Sequence, residues 1–328
     1  MGNDGIVLFD LDPGWGHGAR VAEHLEVPVS AHEERGFEDG EFKIRPLVGV
    51  RNKDVYVVQS LQGDAGRSVH DKLCRLLFFA GAVRDASAAR VTAVAPYLAY
   101  ARKDRRTKPR DPVSIRYLAA MMEVVGVDRV VTMDVHNQAA FENAFRCRTE
   151  PLEARKLFVA HLAPLVGQGA LAVVSPDVGG VKRAEHLRDS LEHALGRDVG
   201  LAFMEKTRSG GVVRGETLVG DVKGRTVVIL DDLISTGTTM MRAASACRAA
   251  GGGPVFAVAT HGVFVGGAPA MVASPLFDRV IVTDTLPPFR LPENLVSRRV
   301  TVLSTAPLFA EAIARIHGGG SVSDLLAD

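Results

Sequence analysis

Cysteine is scarce in this chain: 328 residues hold three, Cys74, Cys147 and Cys247. An odd number at wide spacing excludes a disulfide framework, and the absence of any CxxC pair excludes the usual structural zinc sites. Aromatics make up only 6% of residues, and net charge is +1, so no global field draws the chain to nucleic acid or to an anionic membrane. No apolar run approaches the roughly 18 residues of a membrane span. The opening MGNDGIVLFDLD is acidic and has no signal-peptide core, and it lacks the hydroxyl residue that myristoylation wants after Met-Gly. A cytoplasmic protein is therefore expected. A GxxxxGK[ST] loop is also missing, so any nucleotide must be held without a Walker motif.

What is present is alternation. GIVLF, DVYVVQS, RVTAVAPY, RVVTMDV, ALAVVS, TVVILDD, PVFAVATHGVF, RVIVTDT and VTVLS all read as strands. Their β-branched, unbroken apolar character indicates burial on both faces, as in parallel sheets. Helical patterns lie between them, for example Val69 to Val83 and Ile115 to Val125. The prediction is an α/β fold with right-handed crossovers. Two doubly wound halves of largely parallel sheet are expected. One covers residues 1–150 and is completed by a C-terminal helix at about 305–320; the other covers 151–304. Ligands of such sheets bind at the carboxyl ends of the strands.

One stretch poses a chemical question. In TVVILDDLISTGTTMMRAASACRAAG, Asp231 and Asp232 stand where the apolar run stops, and Ser235, Thr236, Gly237, Thr238 and Thr239 follow. Met240, Met241, Ala244 and Cys247 recur at helical spacing and should face the core. A hydroxyl-rich turn at a helix N-terminus offers unpaired N–H donors to a phosphate. Two carboxylates would repel that phosphate, so they are expected to hold ribose hydroxyls or a phosphate-bound Mg²⁺. Elsewhere, SPDVGGVKRAEHL puts Asp177 at a strand end, before two glycines and the basic pair Lys182 and Arg183. PYLAYARKDRR and MEKTRSGGVV carry further cations able to meet phosphate oxygens.

DDLISTGTT resembles the phosphoribosyl-binding motif shared by type I phosphoribosyltransferases and ribose-phosphate pyrophosphokinases, the phosphoribosyl pyrophosphate (PRPP) synthetases. Other stretches favour the second family, and the likeness runs from about Phe37 to Leu326. The first 30 residues match poorly. The resemblance implies two phosphoribosyltransferase-like domains and a diphosphokinase that moves the β,γ-diphosphoryl group of MgATP to the C1 hydroxyl of ribose 5-phosphate, for nucleotide biosynthesis. In FEDGEFKI it places Phe37 near adenine, with Asp39 and Glu41 on the nucleotide. Arg102 and Lys103 would meet the ATP phosphates, although Lys103 stands where the family usually has Gln. In MDVHNQAAFENAF, His136 would serve Mg²⁺, with Asn137 where Ala is common, and Asp177 would lie near the metal and the ribose phosphate. Lys206 and Arg208 are spaced like the family's catalytic pair on a flexible loop. Asp231 and Asp232 take the ribose hydroxyls, and Ser235, Thr236, Gly237, Thr238 and Thr239 take the 5-phosphate. Thr238 stands where the family often has Gly. A homo-oligomer, dimer or hexamer, is implied as well. The alternatives are a PRPP-using phosphoribosyltransferase, which has no need of FEDGE or Arg102, and a non-catalytic regulatory subunit of the same family.

Overall fold

The computed structural model describes residues 5–209 and 212–326; residues 206–209 and 212–216 are described as strand backbone without their side chains. The chain divides into two compact units, one of Met1–Glu153 with Ser304–Ala327 and one of Ala154–Leu303.

In the first unit a five-stranded sheet is built from β1 (Ile6–Asp10), β4 (Asp54–Val58), β5 (Arg90–Ala95), β6 (Arg129–Met133) and β7 (Arg148–Leu152), in that spatial order. All of its pairings are parallel. Helices α1 (His17–His24), α2 (Val69–Asp85), α3 (Ser114–Val124) and α4 (Gln138–Ala144) lie between its strands in the chain. A hairpin of β2 (His32–Gly36) and β3 (Phe42–Pro46) precedes β4. Every residue of β4 is buried: the apolar run at 55–58 as a two-faced parallel strand requires, and Asp54 with it. α2 starts with a full capping box: Ser68 and Asp71 satisfy each other's backbone amides.

The second unit begins with α5 (Arg155–Val166). Its sheet runs β10 (Val212–Val219), β9 (Gly200–Ser209), β8 (Leu171–Ser175), β11 (Thr226–Ile234), β12 (Val255–Gly262), β13 (Arg279–Thr283), β14 (Val300–Leu303). Among the described strands of this sheet, only β9 and β10 pair antiparallel. Helices α6 (Val181–Leu195), α7 (Thr238–Ala249), α8 (Ala268–Ala273) and α9 (Glu293–Arg299) connect the strands. The chain leaves β8 towards β9 on one side and returns as β11 on the other, so the winding reverses between β8 and β11.

All nine strands read from apolar runs are present. Five others were not foreseen as strands of the α/β pattern: β2, β3, β7, β9 and β10. β7 is short and contains Pro151, which an edge strand tolerates. β9 starts apolar and ends in charge. β11 also continues past its apolar run, through Asp231 and Asp232 to Ile234, because β12 pairs with it in register as far as Ile234 opposite Gly262.

The last helix, α10 (Ala306–Gly318), belongs to the first unit. Its Phe309 ring meets His17 of α1 edge-on, and His17 Nε2 lies 2.9 Å from Thr305 Oγ1. His317 Nδ1 reaches the buried Asp54 carboxylate at 2.8 Å, which Arg90 and the Tyr56 hydroxyl also engage. Burial, then the Asp54 charge, pushes the Tyr56 phenol well above its usual range.

The opening segment is anchored through Lys72 of α2, a buried lysine whose Nζ lies 2.7 Å from Asp12 and 2.8 Å from Asp64. Removing the cation sets two carboxylates against each other in a partly desolvated place. Lys72→Met is predicted to lower the unfolding free energy by about 2 kcal/mol, below the range for a fully buried pair because both acids retain some solvent. Urea denaturation followed by circular dichroism measures it, and a change under about 0.5 kcal/mol, the level of an ordinary surface substitution, would refute the anchoring role.

Candidate functional site

In the second unit, the reversal of winding places the ends of β8 and β11 side by side, where α/β sheets receive ligands. Asp177 lies in the turn after β8. Its Oδ1 accepts the Gly180 amide at 3.0 Å, and Ser175 Oγ donates to its carbonyl at 2.6 Å. A Cβ on Gly180 would stand 2.7 Å from Ser175 Oγ, so a side chain there would push that hydroxyl from its bond to the Asp177 carbonyl. α6 follows, with Lys182 exposed and Arg183 half-buried in its first turn.

Asp231 and Asp232 close the other side. Asp232 is buried and Asp231 half-buried, and the Asp232 amide donates to Asp231 Oδ1 at 2.9 Å. Arg183 Nη1 lies 3.7 Å from Asp231 and 3.5 Å from Asp232, one guanidinium facing two carboxylates. Burial, then the neighbouring Asp232 carboxyl, pushes the Asp231 carboxyl well above the usual range, and Arg183 offsets this only in part. The pair is thus poised to receive hydroxyl donors or added positive charge. The sequence shows Arg183 as a basic residue but not as the link between the two loops, because that link depends on the β8–β11 adjacency.

Beyond β11 the chain turns into α7. Gly237 is its N-cap, with φ of 80°. A Cβ there would also approach Met271 of α8 to 2.6 Å, so glycine is required by both conformation and space. The carbonyls of Ile234 and Ser235 accept the amides of Phe264 and Val265 at 3.0 Å, which fixes the floor of the turn. Thr236, Thr238 and Thr239 are exposed, with Thr236 Oγ1 3.1 Å from Thr238 Oγ1. Thr238 is the first residue of α7 and is not among the positive-φ residues, so its helical backbone has no need of glycine. The first-turn amides of α7 have no acceptor within the helix and are available to an anion. Of the four residues expected to face the core, Met240, Ala244 and Cys247 are buried and Met241 is half-buried, with Ala243 completing the stripe.

Lys206 and Arg208 fall on β9, in an antiparallel pair with β10 where Arg208 stands opposite Val213 and Lys206 opposite Glu216. The expected loop is therefore strand at these positions; their side chains, and Gly210 and Gly211, lie outside the described residues.

In the first unit, Phe37 to Gly40 form the turn of the β2–β3 hairpin. The Phe37 amide donates to the Glu41 carbonyl at 2.8 Å, and Asp39 Oδ1 accepts the Glu41 amide at 3.0 Å. Phe37 is 41% exposed, and the Arg35 guanidinium lies over its ring, 5.4 Å from the centre. The hairpin is seated on α2, where Phe42 stacks on Phe78 and Arg75 bonds Glu34 at 2.6 Å. Arg102 is exposed in the loop after β5, while Lys103 is paired with Asp111 at 2.6 Å. His136 is exposed in the loop after β6. Tyr100 and Asp134, with φ of 61° and 39°, sit two residues before Arg102 and His136. Left-handed backbone at non-glycine residues costs on the order of 1–3 kcal/mol and gathers at functional loops.

Among the described residues, no group of three or more His, Cys, Asp or Glu side chains forms a ready-made metal cage. No described helix is long and apolar enough to cross a membrane.

Three family models match the chain: the N-terminal domain of ribose phosphate pyrophosphokinase over residues 7–126, the phosphoribosyl transferase domain over 153–261, and the phosphoribosyl synthetase-associated domain over 212–327. The ribose-phosphate pyrophosphokinase of Hyphomonas neptunium is 37% identical over 306 residues, covering 93% of this chain and 94% of that protein. That of Burkholderia pseudomallei is 35% identical over 99% of both chains. The crystal structure of phosphoribosylpyrophosphate synthetase from Mycobacterium smegmatis superposes with a TM-score of 0.85 at 34% identity, covering 97% of this chain and all of that one.

The carboxylate pair makes a pH-dependent prediction. Asp231 holds its proton to higher pH in the folded chain than the ordinary 3.8, so folding favours its neutral form. Its contribution to stability is full below the ordinary value and is lost as pH rises through the folded one. Asp231→Asn, which stays neutral, should match wild type in acid and exceed it by roughly 2 kcal/mol above neutrality. Urea melts at stepped pH test this, and parallel curves for the two proteins would contradict it.

Proposed function

The chain belongs to the ribose-phosphate pyrophosphokinase family, and from that premise we propose how its residues divide the work of a ribose-phosphate diphosphokinase. The C1 hydroxyl oxygen of ribose 5-phosphate attacks the β-phosphorus of ATP. The bond from that phosphorus to the α-phosphate oxygen breaks, AMP leaves, and the hydroxyl proton is released. PRPP, a precursor for nucleotide biosynthesis, is the product. No covalent enzyme intermediate is required, so the residues serve alignment and charge stabilisation.

One observation carries the reading: the acidic pair of β11, shared with Arg183, stands at the chain reversal directly before the Gly237 turn and the N-terminus of α7. Ser235, Thr236, Gly237, Thr238 and Thr239 take the 5-phosphate. Asp231, with Asp232, takes the ribose hydroxyls. Phe37 offers its ring face to adenine, and Asp39 and Glu41 flank the nucleotide. Arg102 takes ATP phosphates, with Lys103 beside it. Lys206 and Arg208 stabilise the transferring group, where charge grows on the diphosphoryl oxygens.

Mg²⁺ prefers oxygen, keeps several waters, and in nucleotide enzymes rests on substrate phosphates and one or two carboxylates. The donors here suit that mode: Asp177 supplies carboxylate oxygen, and His136 suits a hydrogen bond to a metal-bound water. When bound, the ion neutralises phosphate charge. The same proposal includes a cytoplasmic homo-oligomer, which sedimentation would show as a dimer or hexamer.

Incubation with MgATP and ribose 5-phosphate should yield equal AMP and PRPP. A chain that instead consumed PRPP with a purine or pyrimidine base would be a phosphoribosyltransferase, and one that did neither would be a regulatory subunit. Lys206→Ala should lower kcat by about 10²–10³-fold, the scale of one lost transition-state donor, while ribose 5-phosphate still binds. Equal loss of binding and turnover would count against that role. Asp231→Ala should weaken ribose 5-phosphate more than ATP in calorimetric titrations; the reverse order would remove it from the sugar site.

A further inference from the structure

The loop that carries Arg102 has neither helix nor strand from the end of β5 at Ala95 to the start of α3 at Ser114. It is also strongly cationic, with Arg102, Arg105, Arg106, Lys108 and Arg110 all exposed. Like charges on an irregular segment repel, and such a segment would hold no single shape without specific ties.

Two ties are present. The first is Asp111, whose Oδ2 accepts from Lys103 Nζ at 2.6 Å, Thr107 Oγ1 at 2.7 Å, the Lys108 amide at 2.9 Å and the Thr107 amide at 3.0 Å. Lys103 Nζ also reaches Thr107 Oγ1 at 3.0 Å. One carboxylate thereby folds residues 103–111 into a ring, and the Lys103 ammonium holds its carboxyl well below the usual range. The second tie is Asn137. Its Oδ1 caps α4 by accepting the Ala140 amide at 3.1 Å, and its Nδ2 donates to Asp104 Oδ2 at 2.6 Å. Asn137 directly follows His136, so the link joins the Arg102 loop to the His136 loop through side chains alone.

We infer that Asp111 and Asn137 are positioning residues for ATP: they hold the Arg102 segment in its nucleotide-receiving shape, and Lys103 acts chiefly as the cation that closes this ring. The inference rests on the proposed ATP role of Arg102. A loop already ordered loses less conformational freedom when nucleotide binds, which favours affinity without any contact to the ligand. The neutral ring also explains how Lys103 can stand next to a phosphate-binding arginine without adding its full charge there.

If Asp111 merely competed with phosphate for Lys103, Asp111→Asn would free the ammonium and lower the KM for ATP. As a clamp, its loss should raise that KM about tenfold, the scale of one charge-assisted hydrogen bond, with the KM for ribose 5-phosphate within twofold. Asn137→Asp keeps the cap acceptor but sets a carboxylate against Asp104, and should raise the KM for ATP in the same way. Lys103→Met should raise it too, and adding Asp111→Asn to Lys103→Met should cost little more, because both act through one ring. Steady-state kinetics with each substrate varied, alongside melting temperatures, read all four variants. A fall in the KM for ATP on Asp111→Asn, or no change on Asn137→Asp, overturns the inference. A wild-type chain that makes no AMP from MgATP and ribose 5-phosphate overturns the reading beneath it; an active wild type with unchanged variants overturns this inference alone.

Discussion

Two carboxylates in succession at the end of a buried strand, faced by one guanidinium, are the constraint on which the second unit turns. Asp232 is buried and Asp231 half-buried, and Arg183 meets both from the first turn of α6. Charge of one sign is costly in such a place unless it is shared, protonated or matched by a ligand. Arg183 can reach the pair only because the chain reverses between β8 and β11, which brings the Asp177 turn and the β11 terminus to the same edge. The α7 N-terminus then follows immediately, fixed by Gly237 against Met271. A pair of carboxylates and a helix N-terminus thus arise from one strand-to-helix transition, and the proposed binding of a phosphorylated sugar rests on that pairing.

The first unit solves a different problem. The residues proposed for the nucleotide lie on a hairpin turn and on two irregular loops, where the backbone supplies little rigidity. Side chains supply it instead: Arg75 and Phe78 of α2 seat the hairpin, and Asp111 and Asn137 fix the loops. The dense cationic run after β5 is tolerable for this reason, since one carboxylate organises its middle.

Much of the architecture is legible in the sequence, because parallel strands buried on both faces leave unbroken apolar runs such as residues 55–58 of β4 and 171–174 of β8. The strands that escaped reading carry weaker signals. β7 has Pro151 and three polar residues, and β9 changes from apolar to charged midway. β11 outlasts its apolar run because its pairing with β12, not its own composition, sets its length. The candidate site residues stand out as motifs, yet their partners do not. Lys103 reads as a free cation in PYLAYARKDRR, whereas its carboxylate lies eight residues ahead at Asp111. Arg183 and Asp231 are far apart in the chain, and only the sheet order makes them neighbours.

The most direct test of this account follows atoms through the reaction. Ribose 5-phosphate is incubated with MgATP carrying phosphorus-32 at the β-position and oxygen-18 in the α,β-bridge, and the products are separated. Attack by the sugar hydroxyl on the β-phosphorus puts all radiolabel in PRPP, none in AMP, and leaves the heavy oxygen in AMP. Radiolabel left with the nucleotide product, or heavy oxygen carried into PRPP, would contradict it.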